Sequence, residues 1–266
     1  MIQIRPWNDC YNNCTFCSIK NKSITKIEDK KIRINKLKEL KEDRIGIIGG
    51  EFFEGQLKGV EEEWLCMINE INCNELFITA NLINEQYLLK ETLEIRPDIL
   101  ICTSYDSVGR FKTQEQKIKW LERVNSLDNV FCTIIPTQDM LKDDFIENIK
   151  CGINLCEPHL GLDWLKSVDK EHYHEHLINE NKIFNLPRRK DLLKWLFKHS
   201  DILNKMKNYK ATHFDTIVAF DNNNNFIYEY DNRFDDVNFI NKCGHPYFSK
   251  CYLDNNRCLM CDLEEM

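Results

Sequence analysis

The sequence has no apolar run long enough to cross a bilayer and no secretory signal. Its opening, MIQIRPWNDC, turns polar after four residues, whereas a signal h-region needs about 7–15 apolar residues and a membrane helix about 20. A soluble, cytoplasmic protein without a membrane partner is the expectation. Net positive charge is missing as well. At −7 overall the chain exerts no general pull on nucleic acid or anionic lipid, so nucleic acid is not the favoured partner. There is no internal repeat and no disordered linker, and the one biased stretch, Asn222 to Asn225, has the composition of a turn.

Of the 266 residues, 42% are hydrophobic, enough for one α/β domain with a small appendage. Thirteen cysteines in a reducing compartment point to metal binding or redox chemistry rather than to a disulfide framework. The charge is uneven: residues 20–41 carry nine Lys/Arg against three acids, which leaves −13 on the remainder. A solvated helix face explains such a segment. An anionic substrate or a phosphate is the sharper alternative.

Hydrophobic runs of strand length recur at 2–5, 44–48, 75–80, 98–104, 129–135 and 152–156. Between and after them, helical apolar spacing appears near 32–42, 57–72, 84–94, 113–126, 140–149 and 161–179. This is the pattern of parallel βα units. Six units in about 180 residues fall short of a full eight-unit barrel, which needs about 250. The expected class is α/β, a partial (β/α)6 TIM-like barrel over residues 1–185 with a small C-terminal metal-binding extension over 186–266. Pro187 opens a long amphipathic helix with Leu192, Leu193, Leu196, Phe197, Ile202 and Leu203 as its apolar stripe. The segments DTIVAF and NFIYEY then read as a β-hairpin.

Directly after the first strand comes Cys10-Tyr-Asn-Asn-Cys14-Thr-Phe-Cys17. A short C-x3-C-x2-C loop can wrap one corner of an iron–sulfur cubane and offer three thiolates. The fourth iron then keeps an open position, the mark of a catalytic rather than a structural metal centre. Incidental cysteines or part of a zinc site are the competing readings. With an aromatic residue, Phe16, just before the third cysteine, the segment resembles the signature of the radical S-adenosylmethionine (radical SAM) superfamily. The second strand runs into Gly49-Gly50-Glu51, which resembles that family's GGE motif. There, backbone and carboxylate meet the amino group of the bound methionine moiety; two glycines permit close backbone approach, and Glu51 is an anionic acceptor for an ammonium. After the fourth strand, Ser104-Tyr-Asp106-Ser107 is similar to the S-x-D element near the ribose and carboxylate, with Arg110 a further carboxylate ligand. Capping of the next turn is the plainer role for Ser104 and Asp106. Thr79 and Asn81, after the third strand, would face the same cavity.

The resemblance implies a [4Fe-4S] cluster on Cys10, Cys14 and Cys17 and S-adenosylmethionine beside it. The reduced cluster would split the sulfonium into methionine and a 5′-deoxyadenosyl radical, which takes a hydrogen atom from the substrate. An electron donor such as flavodoxin or ferredoxin follows from that scheme. Because the barrel motifs start with the first strand, without a leader-binding domain ahead of them, the expected substrate is a small metabolite, nucleotide or sugar rather than a ribosomal peptide.

Near the C-terminus, Cys243, Cys251, Cys258 and Cys261 form a C-x7-C-x6-C-x2-C array. So short a segment has little core of its own, and metal explains four clustered thiols better than packing does. Hairpin and cysteines together resemble the SPASM or twitch extensions of radical SAM enzymes, with room for one further [4Fe-4S] cluster. Zinc on four thiolates, or on three with His245, is the alternative. At the end of the sixth strand, Glu157 and His159 are candidates for substrate contact, and Cys156 for hydrogen-atom donation. His172 and His176 would share a helix face. Arg188, Arg189 and Lys190 crowd the start of a helix, where the dipole disfavours cations. Cys66, Cys73, Cys102, Cys132 and Cys151 read as core or neutral positions. Other functions stay open: a nucleic-acid- or peptide-modifying radical SAM enzyme, with nucleic acid met through the basic stretches, and a non-catalytic zinc-binding interaction module.

Overall fold

The computed structural model describes residues 2–12, 14, 24–106, 109–134, 137–142, 144–155, 175–179, 182–185, 189–207 and 216–230. All six expected strands are present, as β1 Ile2–Ile4, β2 Arg44–Ile47, β3 Glu75–Thr79, β4 Leu100–Tyr105, β5 Val130–Ile134 and β6 Gly152–Leu155. Helices α1 Ile27–Leu37, α2 Glu61–Glu70, α3 Leu89–Ile95 and α4 Gln114–Ser126 occupy the crossovers. α1 starts five residues ahead of the periodicity, because Glu28 and Asp29 suit the positive end of a helix dipole.

Three expectations need correction. The helix expected at 140–149 is a pair of 3-10 turns, Met140–Lys142 and Asp144–Asn148. Thr137 Oγ1 accepts from Met140 N at 3.2 Å, a local side-chain bond that competes with regular helix. The helix expected through 179 gives way to strand β7, Glu175–Asn179, paired antiparallel with β8, Lys182–Asn185. Their register sets Leu177 opposite Ile183, a backbone pairing of two segments that periodicity along one of them does not reveal. His176 therefore sits in a strand and shares no helix face with His172, which lies outside the described residues. Finally, the helix after Pro187 is two helices, α5 Arg189–Lys198 and α6 Ser200–Lys207, separated at His199.

The chain divides into two compact units. The first contains β1 to β3, most of β4, α1 to α3, and the hairpin of β9 Thr216–Phe220 and β10 Phe226–Tyr230. Its strands run in the order β10-β9-β1-β2-β3-β4, all parallel except β10. The hairpin is thus part of the same sheet as the N-terminal strand, with Ile2 opposite Thr216 on one side and Ile45 on the other. Strands covered on both faces require near-continuous apolar side chains, and Ile4, Ile45, Ile47 and Ile78 are fully buried. Ile34 and Leu37 of α1 and Trp64, Met67 and Ile68 of α2 are buried with them. Phe52 stacks on Trp64 at 5.6 Å and tilts against Trp7 at 5.3 Å.

The asparagine run locks the hairpin to α1. Asn224 is buried in the left-handed conformation, φ 60°. Its Oδ1 accepts from Arg33 Nε at 2.6 Å, its Nδ2 donates to Asp29 at 2.7 Å, and its carbonyl accepts from Lys36 at 2.7 Å. Other cations of the basic segment are engaged too, Lys31 by Glu63 and Lys38 by Glu70.

In the second unit β5 and β6 pair in parallel, with Phe131 opposite Gly152. Tyr105 packs on Trp120 at 5.6 Å and on Phe145 at 5.3 Å, and Lys117 Nζ lies 4.0 Å from the Phe145 centroid. The protein is a mixed α/β fold of mostly parallel strands. Among the described residues no helix is long and apolar enough to cross a membrane.

Candidate active site

In a parallel sheet the loops leaving the C-terminal strand ends share one edge, and in the first unit those of β1, β2 and β3 are knitted together there. Parallel pairing continues past the strands. Ile48 N donates to Ile4 O at 2.7 Å, Gly50 N to Trp7 O at 3.3 Å, and Glu51 N to Asp9 O at 2.7 Å. The two glycines are needed for this approach. A Cβ on Gly49 would stand 2.5 Å from Trp7 O, and one on Gly50 only 2.0 Å from Asp9 O. Their bareness therefore admits the backbone that leads into Cys10.

Cys10 and Cys14 are each half-buried and neither is in a disulfide. Asn12 N donates to Cys10 Sγ at 3.4 Å. The Asn12 side chain donates to Glu54 at 2.7 Å, and Glu54 also takes both Asn84 N and its amide. The cysteine segment is thereby tied to the loop after β2. Phe16 and Cys17 lie outside the described residues.

Glu51 is fully buried, and backbone amides surround it. Oε1 accepts from Phe52 N at 3.0 Å and Phe53 N at 3.1 Å, while Oε2 accepts from Asn81 N at 2.7 Å. Burial, aided by the charge of Glu54, pushes its carboxyl from 4.5 up to about 7 against the pull of those three amides. Asn81 Oδ1 accepts from Ile83 N at 3.0 Å, but its Nδ2 is buried with no partner among the described residues. Such a donor costs about 1–3 kcal/mol until an acceptor meets it. A buried carboxyl and an amide donor without a partner among the described residues thus lie side by side on the loops after β2 and β3.

In the second unit Ser104 is the penultimate residue of β4, and Asp106 directly follows the strand. Arg110 is buried, and its Nη1 donates to Ser104 Oγ at 2.5 Å. Asp106 Oδ1 accepts from Gly109 N at 2.8 Å, so the carboxylate caps its own turn. Ser104 and Arg110 are thus brought into contact. Glu157, His159, Cys243, Cys251, Cys258 and Cys261 lie outside the described residues, as do Cys156 and His245. Among the described residues no three metal-ligating side chains converge.

No protein-family model and no curated protein matches the chain. Solved structures do. The fold is similar to that of Streptococcus suis SuiB. The two align with a TM-score of 0.50 and 17% identity over 78% of this chain and 47% of SuiB, so the chain spans about half of SuiB's length. SuiB bound to S-adenosylmethionine aligns at 0.44 and 18% over 78% of this chain and 45% of that one. Native anSMEcpe with bound AdoMet and Cp18Cys peptide aligns at 0.47 and 15% over 82% and 71%.

Sequence reasoning passed over Asp9, Thr25, Lys30, Asn12 and Glu54. Each is an ordinary polar residue whose partner lies far along the chain, and no local pattern marks it. The remaining cysteines match their quiet reading in part. Cys132 is buried, and burial pushes the thiols of Cys102 and Cys151 up to about 12. Cys66 instead accepts from Lys38 Nζ at 3.0 Å on the surface of α2.

Proposed function

We propose that the chain is a radical S-adenosylmethionine enzyme built on a partial (β/α)6 barrel. The observation that carries this reading is the locking of the Cys10 loop to Gly49-Gly50-Glu51, beside the orphaned Asn81 Nδ2. Cys10, Cys14 and Cys17 would hold a [4Fe-4S] cluster. The donors described fit such a group: Cys10 and Cys14 are outside disulfides, and Cys10 Sγ already takes a backbone N–H, a bond that favours a thiolate. The amino group of S-adenosylmethionine would face Glu51, and its carboxylate would accept from Asn81 Nδ2, with Phe16, Ser104, Asp106 and Arg110 as further contacts. SuiB, whose fold is similar, has been solved with S-adenosylmethionine bound, which agrees with this choice of cofactor.

When bound, cluster and cofactor together supply a 5′-deoxyadenosyl radical that abstracts a hydrogen atom from an organic substrate. The protein's share of the work is placement. Glu51, held by three backbone amides, offers its charge in one direction, and the aromatic packing of Trp7, Phe52 and Trp64 behind the loops keeps that edge rigid. Glu157 and His159 are the proposed substrate contacts. Cys243, Cys251, Cys258 and Cys261 would hold a second [4Fe-4S] cluster, with zinc as the alternative occupant, and a flavodoxin or ferredoxin would deliver electrons.

The test is anaerobic reconstitution with iron and sulfide, then dithionite and S-adenosylmethionine, with 5′-deoxyadenosine as the readout. The expected outcome is product from the wild type and none from Cys14→Ala. Well-folded wild type that takes up zinc but no iron, and yields no 5′-deoxyadenosine, would replace this reading with a structural zinc module.

A further inference from the structure

Asp9 and Lys30 form an ion pair at 2.8 Å with side chains only 5% and 7% exposed, respectively. Taking two charges out of water costs several kcal/mol per ion, and apolar residues of similar volume often serve stability as well. What the charges contribute here is direction. Asp9 Oδ2 receives Lys30 Nζ, while Oδ1 accepts from Thr25 N at 2.9 Å and from Thr25 Oγ1 at 2.7 Å. Lys30 Nζ also donates to Gln56 O at 2.7 Å and lies 5.1 Å from the Trp7 ring centroid. The Asp9 carbonyl, as described above, accepts from Glu51 N.

Asp9 immediately precedes Cys10, and Thr25 follows Cys17 by eight positions. One buried carboxylate therefore joins Asp9 to Thr25, described residues that flank the sequence carrying all three N-terminal cysteines. The backbone of Asp9 fixes that junction against the loop bearing Glu51. We propose that the Asp9–Lys30 pair, through Thr25, positions the cysteine loop, so that the thiolates are presented to a metal cluster in one geometry. This rests on the reading of that loop as an iron–sulfur site. Groups that orient metal ligands in this way typically change metal affinity 10–100-fold when removed.

The experiment compares full-length wild type, Asp9→Asn, Lys30→Met, Lys30→Arg and Thr25→Val after anaerobic reconstitution. It records iron per chain, the rate of iron extraction by a chelator well below the melting temperature, and the electron paramagnetic resonance signal that Cys14→Ala abolishes. Expected are extraction about 10–100-fold faster and shifted or broadened g-values in Asp9→Asn and Lys30→Met, a smaller change of the same kind in Thr25→Val, and recovery toward wild type in Lys30→Arg. A pair that merely stabilises the fold would lower the melting temperature and leave extraction rate and g-values unchanged, and that result overturns the proposal. Should Asp9→Asn and Lys30→Met fail to fold, Thr25→Val decides alone, because it removes a single hydroxyl bond from the same carboxylate. A wild type that binds no iron overturns the iron–sulfur reading, and this proposal with it.

Discussion

Glu51 and Asn81 show how much single side chains hold in reserve. Glu51 titrates near 7 when folded against 4.5 ordinarily, so the folded protein binds its proton more tightly than the unfolded chain does. The resulting stability is fully present below pH 4.5, is lost as pH rises through the folded value, and amounts to about 3 kcal/mol in all. Urea unfolding of the cofactor-free protein should therefore show wild type losing about that much relative to Glu51→Gln across this window, with the difference flat above pH 8 or so. For Asn81→Ala, isothermal titration should give about tenfold weaker S-adenosylmethionine binding, the worth of one hydrogen bond to a charged acceptor. Glu51 was legible in the sequence through its two glycines. Asn81 was visible only as a polar residue after a strand, because its unsatisfied Nδ2 depends on what the fold leaves out of reach.

Among elements, the loops at the strand ends and the α1–hairpin contact depend on close backbone approach. Gly50→Ala would drive a Cβ to 2.0 Å from the Asp9 carbonyl. Backbone atoms have little freedom to retreat, so a loss of about 3 kcal/mol is expected in denaturant melts, together with poorer iron uptake. At the hairpin, Asn224→Ala removes bonds to Arg33 and Asp29 and, at φ 60°, takes away the short polar side chain that lets Asn tolerate the left-handed region, which otherwise costs about 1–2 kcal/mol. Asn224→Gly spares the backbone term but not the hydrogen bonds, so it should recover about 1 kcal/mol relative to Ala in the same melts. Strands β1 to β6 were legible because buried parallel strands need continuous apolar runs. The hairpin was legible as a hairpin, but its place beside β1 was not, since the parallel register that sets Ile2 opposite Thr216 joins segments more than two hundred positions apart and no local pattern encodes it.

For the whole molecule, the two groups of cysteines set the expected metal stoichiometry. With both sites loaded by [4Fe-4S] clusters the reconstituted chain should carry about eight irons, and Cys258→Ala/Cys261→Ala about four, with 5′-deoxyadenosine formation from S-adenosylmethionine retained. Iron near four in the wild type, with one zinc, would assign the C-terminal site to zinc. Overall charge is a poor guide at this scale. The +6 of residues 20–41 suggests a surface for anions, yet Lys30, Lys31, Arg33, Lys36 and Lys38 each meet an acceptor within the protein. By itself the sequence determined the order of strands β1 to β6 and of the helices α1 to α4 between the first five, and the residue types offered at the strand ends, because periodicity and cysteine spacing act over a few neighbouring positions. Only the tertiary structure decided that Gly50 serves the backbone of Asp9, that Thr25 and Lys30 converge on the Asp9 carboxylate, and that Glu51 is buried enough to titrate near 7, because desolvation and contact between distant segments exist only once the chain has folded.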